Sequence, residues 1–241
     1  MAKLVAFVCP GRLGDIVMCL PMAQEFLKSG YGVIWPILGT YIPHFELYFP
    51  QITWMELPND FHQSIANSQA TIEQYPVAAT YHLSYTFAGS EHETAEWFAS
   101  GLPLDKYRYL NSGFSPMLKY ELDNFLKYSV AFDQRAIERL ALPNEFVLIH
   151  DQSSSHSLNI KKFDTEFEQV KIDDSLFSSI FDWIPVLRAA SKIICIESCI
   201  SNMVEQLQIK PQHGRDLILK KDYYLKDDIG LPTYSSDWKI F

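Results

Sequence analysis

Apolar residues follow two patterns that alternate along the chain. Residues 4–9 form a continuous apolar run, which is typical of a strand buried on both faces of a sheet. Residues 15–28 carry apolar side chains at helical spacing, and Pro21 inside this segment predicts a kink or a local irregularity. A second continuous run covers residues 31–38. These segments predict a strand, a loop, a helix and a strand, which is how a parallel sheet opens.

The same alternation continues through the first half of the chain. The pattern predicts strands at 52–57 and 77–82 and helices at 60–74, 91–100 and 133–141. Residues 101–130 are aromatic and irregular, and the pattern places no element there. Pro143 and Asn144 then interrupt the chain.

The alternation begins again after this interruption. It predicts strands at 146–150, 167–172, 192–196 and 216–220 and helices at 177–190 and 199–208. A polar, serine-rich loop follows the first of these strands. The repeated order predicts an α/β protein with two Rossmann-like domains, each built on a parallel sheet. We place the domains at residues 1–142 and 143–241.

The net charge of the 241-residue chain is −9, and its isoelectric point is about 5.2. A nucleic-acid-binding protein normally presents a basic face, so this balance argues against nucleic acid as a partner. An anionic small molecule remains compatible, because a few lysines or backbone N–H groups can bind one phosphate group.

Cysteine usage and apolar run length bear on the compartment. Of the four cysteines, Cys9 and Cys195 lie in apolar runs, and the sequence has no CxxC pair or zinc-site spacing. This indicates free thiols in a reducing compartment. The N-terminal apolar stretch is too short for a signal peptide, and no run reaches the roughly 18 residues of a membrane span. We expect a cytoplasmic protein, with peripheral membrane contact left open.

The turn between the first strand and the first helix, residues 11–15, is the first candidate for chemistry. Gly11 and Gly14 permit a tight turn and close approach of a ligand to the backbone. Asp15 stands at the start of the helix, where the helix dipole favours an ionised carboxylate that could accept a proton from an acceptor hydroxyl. A structural turn with a helix-start aspartate is the alternative. The GxGxxG fingerprint is absent, which disfavours a nicotinamide cofactor.

Two polar segments in the second half are candidates for binding a diphosphate. In the loop after the 146–150 strand, Ser154 and its neighbouring serines could cradle a diphosphate, and Lys161 or Lys162 could neutralise it. In the segment after the 192–196 strand, Ser198 is a suitable helix N-cap, and Glu197 could accept hydrogen bonds from sugar hydroxyls. A solvated loop and an ordinary capped helix are the alternatives.

Taken together, these residues resemble the heptosyltransferase-like glycosyltransferases. That family opens with an apolar strand and then R-x-G-D, two apolar residues, three further residues and a proline. The same order stands in this chain at Arg12, Gly14, Asp15, Ile16, Val17 and Pro21. The family's second half carries a strand that ends in His, a loop to a Lys, and D-[ST]-G-x-x-H at a helix start. These positions correspond to His150, Lys161 or Lys162, Glu197, Ser198 and Asn202.

The resemblance implies a GT-B fold, in which two Rossmann-like domains face a cleft. It implies a nucleotide-sugar donor in the C-terminal half and a carbohydrate or glycolipid acceptor facing the N-terminal half. It implies no metal and no bound cofactor. Asp15 would be the general base, and Gly14 beside it would be one of the donor-binding residues. His150, Lys161 or Lys162 and the helix start at Ser198–Asn202 would hold the donor, and Glu197 would meet its sugar or ribose.

The sequence also differs from the family pattern, with Cys199 in place of the motif Gly and Asn202 in place of the motif His. Two other functions therefore stay open. One is a nucleotide-sugar isomerase of the 2-epimerase kind, with His150 and Glu197 among its candidate acid and base groups. The other is a binding module that has kept the fold without the chemistry.

Overall fold

The computed structural model describes residues 3–84, 91–126, 137–153, 157, 166–173, 175–219 and 232–241. The chain divides into two compact units. The first comprises residues 1–126 and 225–233, and the second comprises 127–224 and 234–241. Each unit has its own parallel sheet, as the repeated strand and helix pattern predicts.

The first unit contains a four-stranded sheet in the order β3-β2-β1-β4. The strands are β1 (Leu4–Val8), β2 (Gly32–Leu38), β3 (Ile52–Leu57) and β4 (Val77–His82), and every pair is parallel. The two central strands are almost entirely buried, which is why the sequence shows them as unbroken apolar runs. All four strands lie where the sequence predicts them.

The helices of the first unit are α1 (Leu13–Lys28), α2 (Ile42–Phe45), α3 (Ser64–Ile72), α4 (Glu91–Ser100) and α5 (Leu104–Asn111). A 3₁₀ segment, Pro116–Phe125, follows them. α1 continues through Pro21, so this proline does not interrupt the helix. α5 and the 3₁₀ segment lie in the stretch where the sequence pattern places no element.

The second unit contains a five-stranded sheet in the order β6-β5-β7-β8-β9. Its strands are β5 (Phe146–His150), β6 (Glu168–Lys171), β7 (Lys192–Ile196), β8 (Arg215–Ile218) and β9 (Trp238–Ile240), all paired in parallel. The first four are predicted. The edge strand β9 is not, because three residues are too short for an alternating pattern to register.

The predicted helix at 177–190 is wrong in detail. A 3₁₀ turn at Ile180–Trp183 leads into α6 (Ile184–Ala189). Ser179 accepts a hydrogen bond from the Phe181 N–H at 3.2 Å, so the segment begins later than the apolar spacing suggests. Pro185 lies in the first turn of α6, where a missing N–H costs no hydrogen bond. The last helix among the described residues is α7 (Cys199–Gln206).

All four cysteines are free, and three of them, Cys9, Cys19 and Cys195, are buried. Burial raises the pKa of the Cys19 and Cys195 thiols. Cys199, the first residue of α7, is half-buried. Among the described residues, no helix is both long and apolar enough to cross a membrane.

A buried ion pair ties the 3₁₀ segment to α5 in the first unit. Lys119 Nζ lies 2.7 Å from Asp105 Oδ2, and both side chains are buried. Lys119 also donates to the carbonyl oxygen of Thr233 at 2.6 Å, and the Thr233 N–H donates to Asp105 Oδ1 at 2.9 Å. The two charges are therefore compensated by each other and by Thr233.

Because this pair is buried, removing one partner should destabilise the first unit strongly. We expect Lys119→Met to lower the free energy of unfolding by about 3–5 kcal/mol, since it leaves the Asp105 carboxylate without its cation. Urea unfolding measures this change. Lys28→Met is the matched control, because its pair with Glu25 is exposed and contributes at most about 1 kcal/mol. Equal losses in the two variants would contradict the expectation.

Candidate functional site

The strand order of the first sheet places a switch point beside β1. The chain passes from β1 to β2 on one side, whereas β4 pairs with β1 on the other side. In open parallel sheets, ligands bind at the carboxyl ends of the strands at such a point. The turn that follows β1 leads directly into α1, and Asp15 lies in the first turn of that helix. The predicted general base therefore stands at the switch point of its own sheet.

Asp15 forms an ion pair with Arg108, a residue of α5. Asp15 Oδ1 lies 2.9 Å from Arg108 Nη1. The Arg108 side chain is 2% exposed, whereas that of Asp15 is 21% exposed, so the pair has a buried end and an accessible end. The second carboxylate oxygen, Oδ2, has no hydrogen-bond or ion-pair partner within the described residues. Arg108 thus fixes the position of Oδ1, and Oδ2 is available for a hydrogen bond with a ligand.

The electrostatics of Arg108 reflect this arrangement. Burial acts against the charge of the guanidinium, but the neighbouring Asp15 carboxylate acts in the opposite direction, and the pKa of Arg108 lies above its ordinary value. Arg108 Nη1 also lies 3.4 Å from Met18 Sδ. Next to it, the buried Tyr109 hydroxyl donates to the Met18 carbonyl oxygen at 2.8 Å, and burial raises the pKa of this phenol. Arg108 therefore stays positively charged next to the Asp15 carboxylate.

The glycines of the turn have different surroundings. A Cβ atom at Gly11 would lie 3.1 Å from Cε2 of Phe61. The group that approaches the Gly11 backbone closely is therefore the aromatic ring of Phe61. The Arg12 guanidinium lies 5.7 Å from the centre of the same ring. Gly14 is the second residue of α1 and is partly exposed. Of the two, Gly14 is the one that stands beside Asp15.

The second sheet has its own switch point, between β5 and β7. The chain passes from β5 to β6 on one side, and β7 pairs with β5 on the other, with His150 opposite Cys195. At the carboxyl ends of these strands, His150 Nδ1 lies 2.9 Å from Ser198 Oγ. Both side chains are buried. Two predicted donor-binding residues that are distant in sequence are therefore brought into contact.

The start of α7 is held by further hydrogen bonds. Ser198 is the N-cap, as predicted, and its N–H donates to Ser201 Oγ at 2.9 Å. Asn202 lies in the same first turn and is buried; its Oδ1 accepts a hydrogen bond from the Tyr234 hydroxyl at 3.2 Å. Tyr234 Oη also lies 3.0 Å from Ser201 Oγ. Sequence reasoning missed Tyr234, because no motif links it to this turn.

The remaining predicted donor residues have different outcomes. Glu197 follows the last residue of β7, is half-buried, and its N–H donates to the Ile218 carbonyl oxygen at 3.0 Å. Ser154, Lys161 and Lys162 lie outside the described residues. Within the part of the chain that is described, no group of three or more His, Cys, Asp or Glu side chains could hold a metal ion.

The Asp15–Arg108 pair makes a stability prediction that separates charge from side-chain loss. We expect Asp15→Ala to lower the free energy of unfolding by about 3 kcal/mol, because it removes the carboxylate that lies 2.9 Å from the buried Arg108 guanidinium. The double variant Asp15→Ala/Arg108→Met should recover most of this loss, since the buried guanidinium is removed together with its carboxylate. Urea unfolding of the variants measures the coupling. Glu25→Ala on the same helix is the control, and additive losses at Asp15 and Arg108 would contradict the assignment.

Comparison with known proteins bears on the fold. No sequence-family model matches the chain, and no curated protein matches it in sequence. The bacterial iron-containing dodecameric glycosyltransferase TibC from enterotoxigenic E. coli matches with 14% identity and a TM-score of 0.54, over 99% of this chain and 64% of TibC. A TibC structure described as a heptosyltransferase in complex with ADP-D-β-D-heptose matches with 14% identity and a TM-score of 0.53, over 99% and 62%.

A family 9 glycosyltransferase from Veillonella parvula matches with 8% identity and a TM-score of 0.56, over 99% of this chain and 86% of that protein. This chain spans less than two thirds of the length of TibC. At these identities the likeness establishes fold. In fold, this chain is similar to the heptosyltransferase-like glycosyltransferases, as the residues around Asp15 and Ser198 predict.

Proposed function

We propose that this protein is a glycosyltransferase that moves a sugar from a nucleotide-diphosphate-sugar donor to an acceptor hydroxyl without a metal ion. The observation that carries the proposal is the carboxylate of Asp15. It stands at a strand-end switch point with Oδ1 on a buried cation and Oδ2 without a partner among the described residues. A fixed carboxylate with one accessible oxygen is suited to receive a proton from a hydroxyl group.

In the proposed reaction, the acceptor hydroxyl oxygen forms a bond to the anomeric carbon of the donor sugar. The bond from that carbon to the diphosphate oxygen breaks, and the nucleoside diphosphate leaves with the electron pair. The hydroxyl proton passes to Asp15 Oδ2. Arg108 keeps its own proton throughout and holds Asp15 Oδ1 in place.

We assign the donor to the second unit. His150 and Ser198 are in contact at the switch point of that sheet, and Asn202 lies in the first turn of α7. The start of a helix favours a bound phosphate group, and the resemblance implies that the donor diphosphate binds there. Glu197 would accept hydrogen bonds from the donor sugar or ribose. Ser154 and Lys161 or Lys162 complete the donor site by resemblance.

The finer features of the fold belong to the same proposal. They are the GT-B arrangement, with the two sheets facing a cleft, and a domain boundary between residues 142 and 143. A heptose donor is one candidate, because TibC has been captured with ADP-D-β-D-heptose. The acceptor is proposed only as a carbohydrate or glycolipid bearing a free hydroxyl.

The donor is testable without knowledge of the acceptor. We expect at least one nucleotide sugar or nucleoside diphosphate, in a panel of ADP, UDP, GDP and their sugar derivatives, to raise the melting temperature, because a ligand of the folded state stabilises it by RT ln(1 + [L]/Kd). Thermal shift measures this directly. Lys161→Ala/Lys162→Ala should reduce the shift, and Lys3→Ala serves as control. Failure of every nucleotide to shift the melting temperature would count against the proposed donor site.

Asp15 is testable by turnover. We expect Asp15→Asn to lower kcat by about 100-fold or more, because the amide retains an oxygen for Arg108 but cannot take the proton. The assay measures release of nucleoside diphosphate from the donor that the panel identifies, with candidate acceptors present. An unchanged rate would remove Asp15 from the mechanism.

Incubation with the donor alone, followed by a search for an epimer, distinguishes transfer from isomerisation.

A further inference from the structure

The helix α5 contacts the first turns of α1 through two consecutive buried side chains. Arg108 reaches the Asp15 carboxylate at 2.9 Å, and Tyr109 donates to the Met18 carbonyl oxygen at 2.8 Å. The two side chains are 2% and 0% exposed. α5 therefore fixes both the backbone and the carboxylate of the segment that carries the proposed base.

We propose that Arg108 is the positioning residue of Asp15 and that, by engaging Oδ1, it reserves Oδ2 as the oxygen that takes the acceptor proton. The inference rests on the proposed function and deepens it. It names a residue that the family resemblance does not supply, in a segment where the sequence pattern predicts no element.

The energetic cost of this pair supports a positioning role. Burying a guanidinium is unfavourable unless a partner compensates its charge, and apolar side chains of similar size often stabilise a fold as well or better. A methionine at this position could therefore fill the same space at a lower cost in free energy. A methionine would not restrict the rotation of the Asp15 carboxylate, because it cannot donate a charge-assisted hydrogen bond to Asp15 Oδ1.

The proton balance gives each oxygen a distinct role. Oδ1 already accepts a hydrogen bond from Arg108, whose side chain is buried. Oδ2 is the oxygen without a partner among the described residues, on a side chain that is 21% exposed. The acceptor proton therefore goes to Oδ2, and no proton leaves Arg108. Without Arg108 the carboxylate can rotate, and the two oxygens become equivalent.

The first experiment needs no substrate. Nitrogen-15 NMR of the full chain reports whether the Nη groups of Arg108 rotate slowly, with the signal assigned through its absence in Arg108→Lys. We expect separate, slowly rotating Nη groups in the unaltered chain and faster rotation in Asp15→Ala, which lacks the hydrogen bond from Nη1 to Asp15 Oδ1. Rapid rotation in the unaltered chain would overturn the inference, because Arg108 would then not hold the carboxylate.

The second experiment uses the nucleotide-release assay. We expect Arg108→Met to lower kcat about 10- to 100-fold while KM for the donor changes less than about twofold, because positioning affects the chemical step more than donor binding. Arg108→Lys should restore part of the rate. The double variant Asp15→Asn/Arg108→Met should be no slower than Asp15→Asn alone, since Arg108 acts only through Asp15.

Controls separate positioning from folding. Lys106→Met removes a cation from the same helix without touching Asp15, and its kcat should stay within about threefold of the unaltered chain. A purely structural role for Arg108 would lower kcat further in the Asp15→Asn background and would be matched by a loss of folded protein in the melting curve. That result would overturn the inference.

The outcomes also separate this inference from the proposed function. If the unaltered chain releases no nucleoside diphosphate from any donor, the glycosyltransferase proposal fails and the role of Arg108 fails with it. If the unaltered chain turns over and Arg108→Met is equally fast, only the role of Arg108 fails.

Discussion

The ion pair between Asp15 and Arg108 is the interaction on which the candidate chemistry of the first unit depends. A carboxylate in the first turn of a helix is a common structural feature and carries no chemistry by itself. What distinguishes Asp15 is that a buried cation holds one of its oxygens while the other has no partner among the described residues. The position of the carboxylate is therefore set by tertiary structure, through a residue 93 positions away in sequence.

The helix α5 connects this pair to the rest of the first unit. Its Asp105 forms the buried pair with Lys119 and accepts a hydrogen bond from the Thr233 N–H, while its Arg108 and Tyr109 contact α1. Two buried charged residues of this short helix, Asp105 and Arg108, thus each form an ion pair. A change that shifts α5 would disturb both, so the stability of this helix and the placement of Asp15 are physically coupled.

The fold was largely predictable from sequence because parallel strands buried on both faces leave unbroken apolar runs, as β1 and β7 do. The strand order was not predictable, since pairing depends on contacts between distant segments. The switch points that place Asp15 and Ser198 at strand ends emerge only from that order. α5 was missed because its apolar residues are few and because its buried residues, apart from Leu104, are Asp105, Arg108 and Tyr109, which a hydrophobic pattern does not register.

The start of α7 shows how the chain can depart from a family motif and retain polar order. The family pattern has His at the position of Asn202, so a side chain that can take a positive charge is replaced by a neutral amide. In the structure, the Tyr234 hydroxyl donates to Asn202 Oδ1, which fixes the amide with its nitrogen on the opposite side. Tyr234 thus orients a neutral amide at the position where the family pattern has a histidine. Because this arrangement supplies no positive charge, an anionic donor in the proposed site would rely on hydrogen-bond donors and the helix dipole, or on cations from elsewhere in the chain.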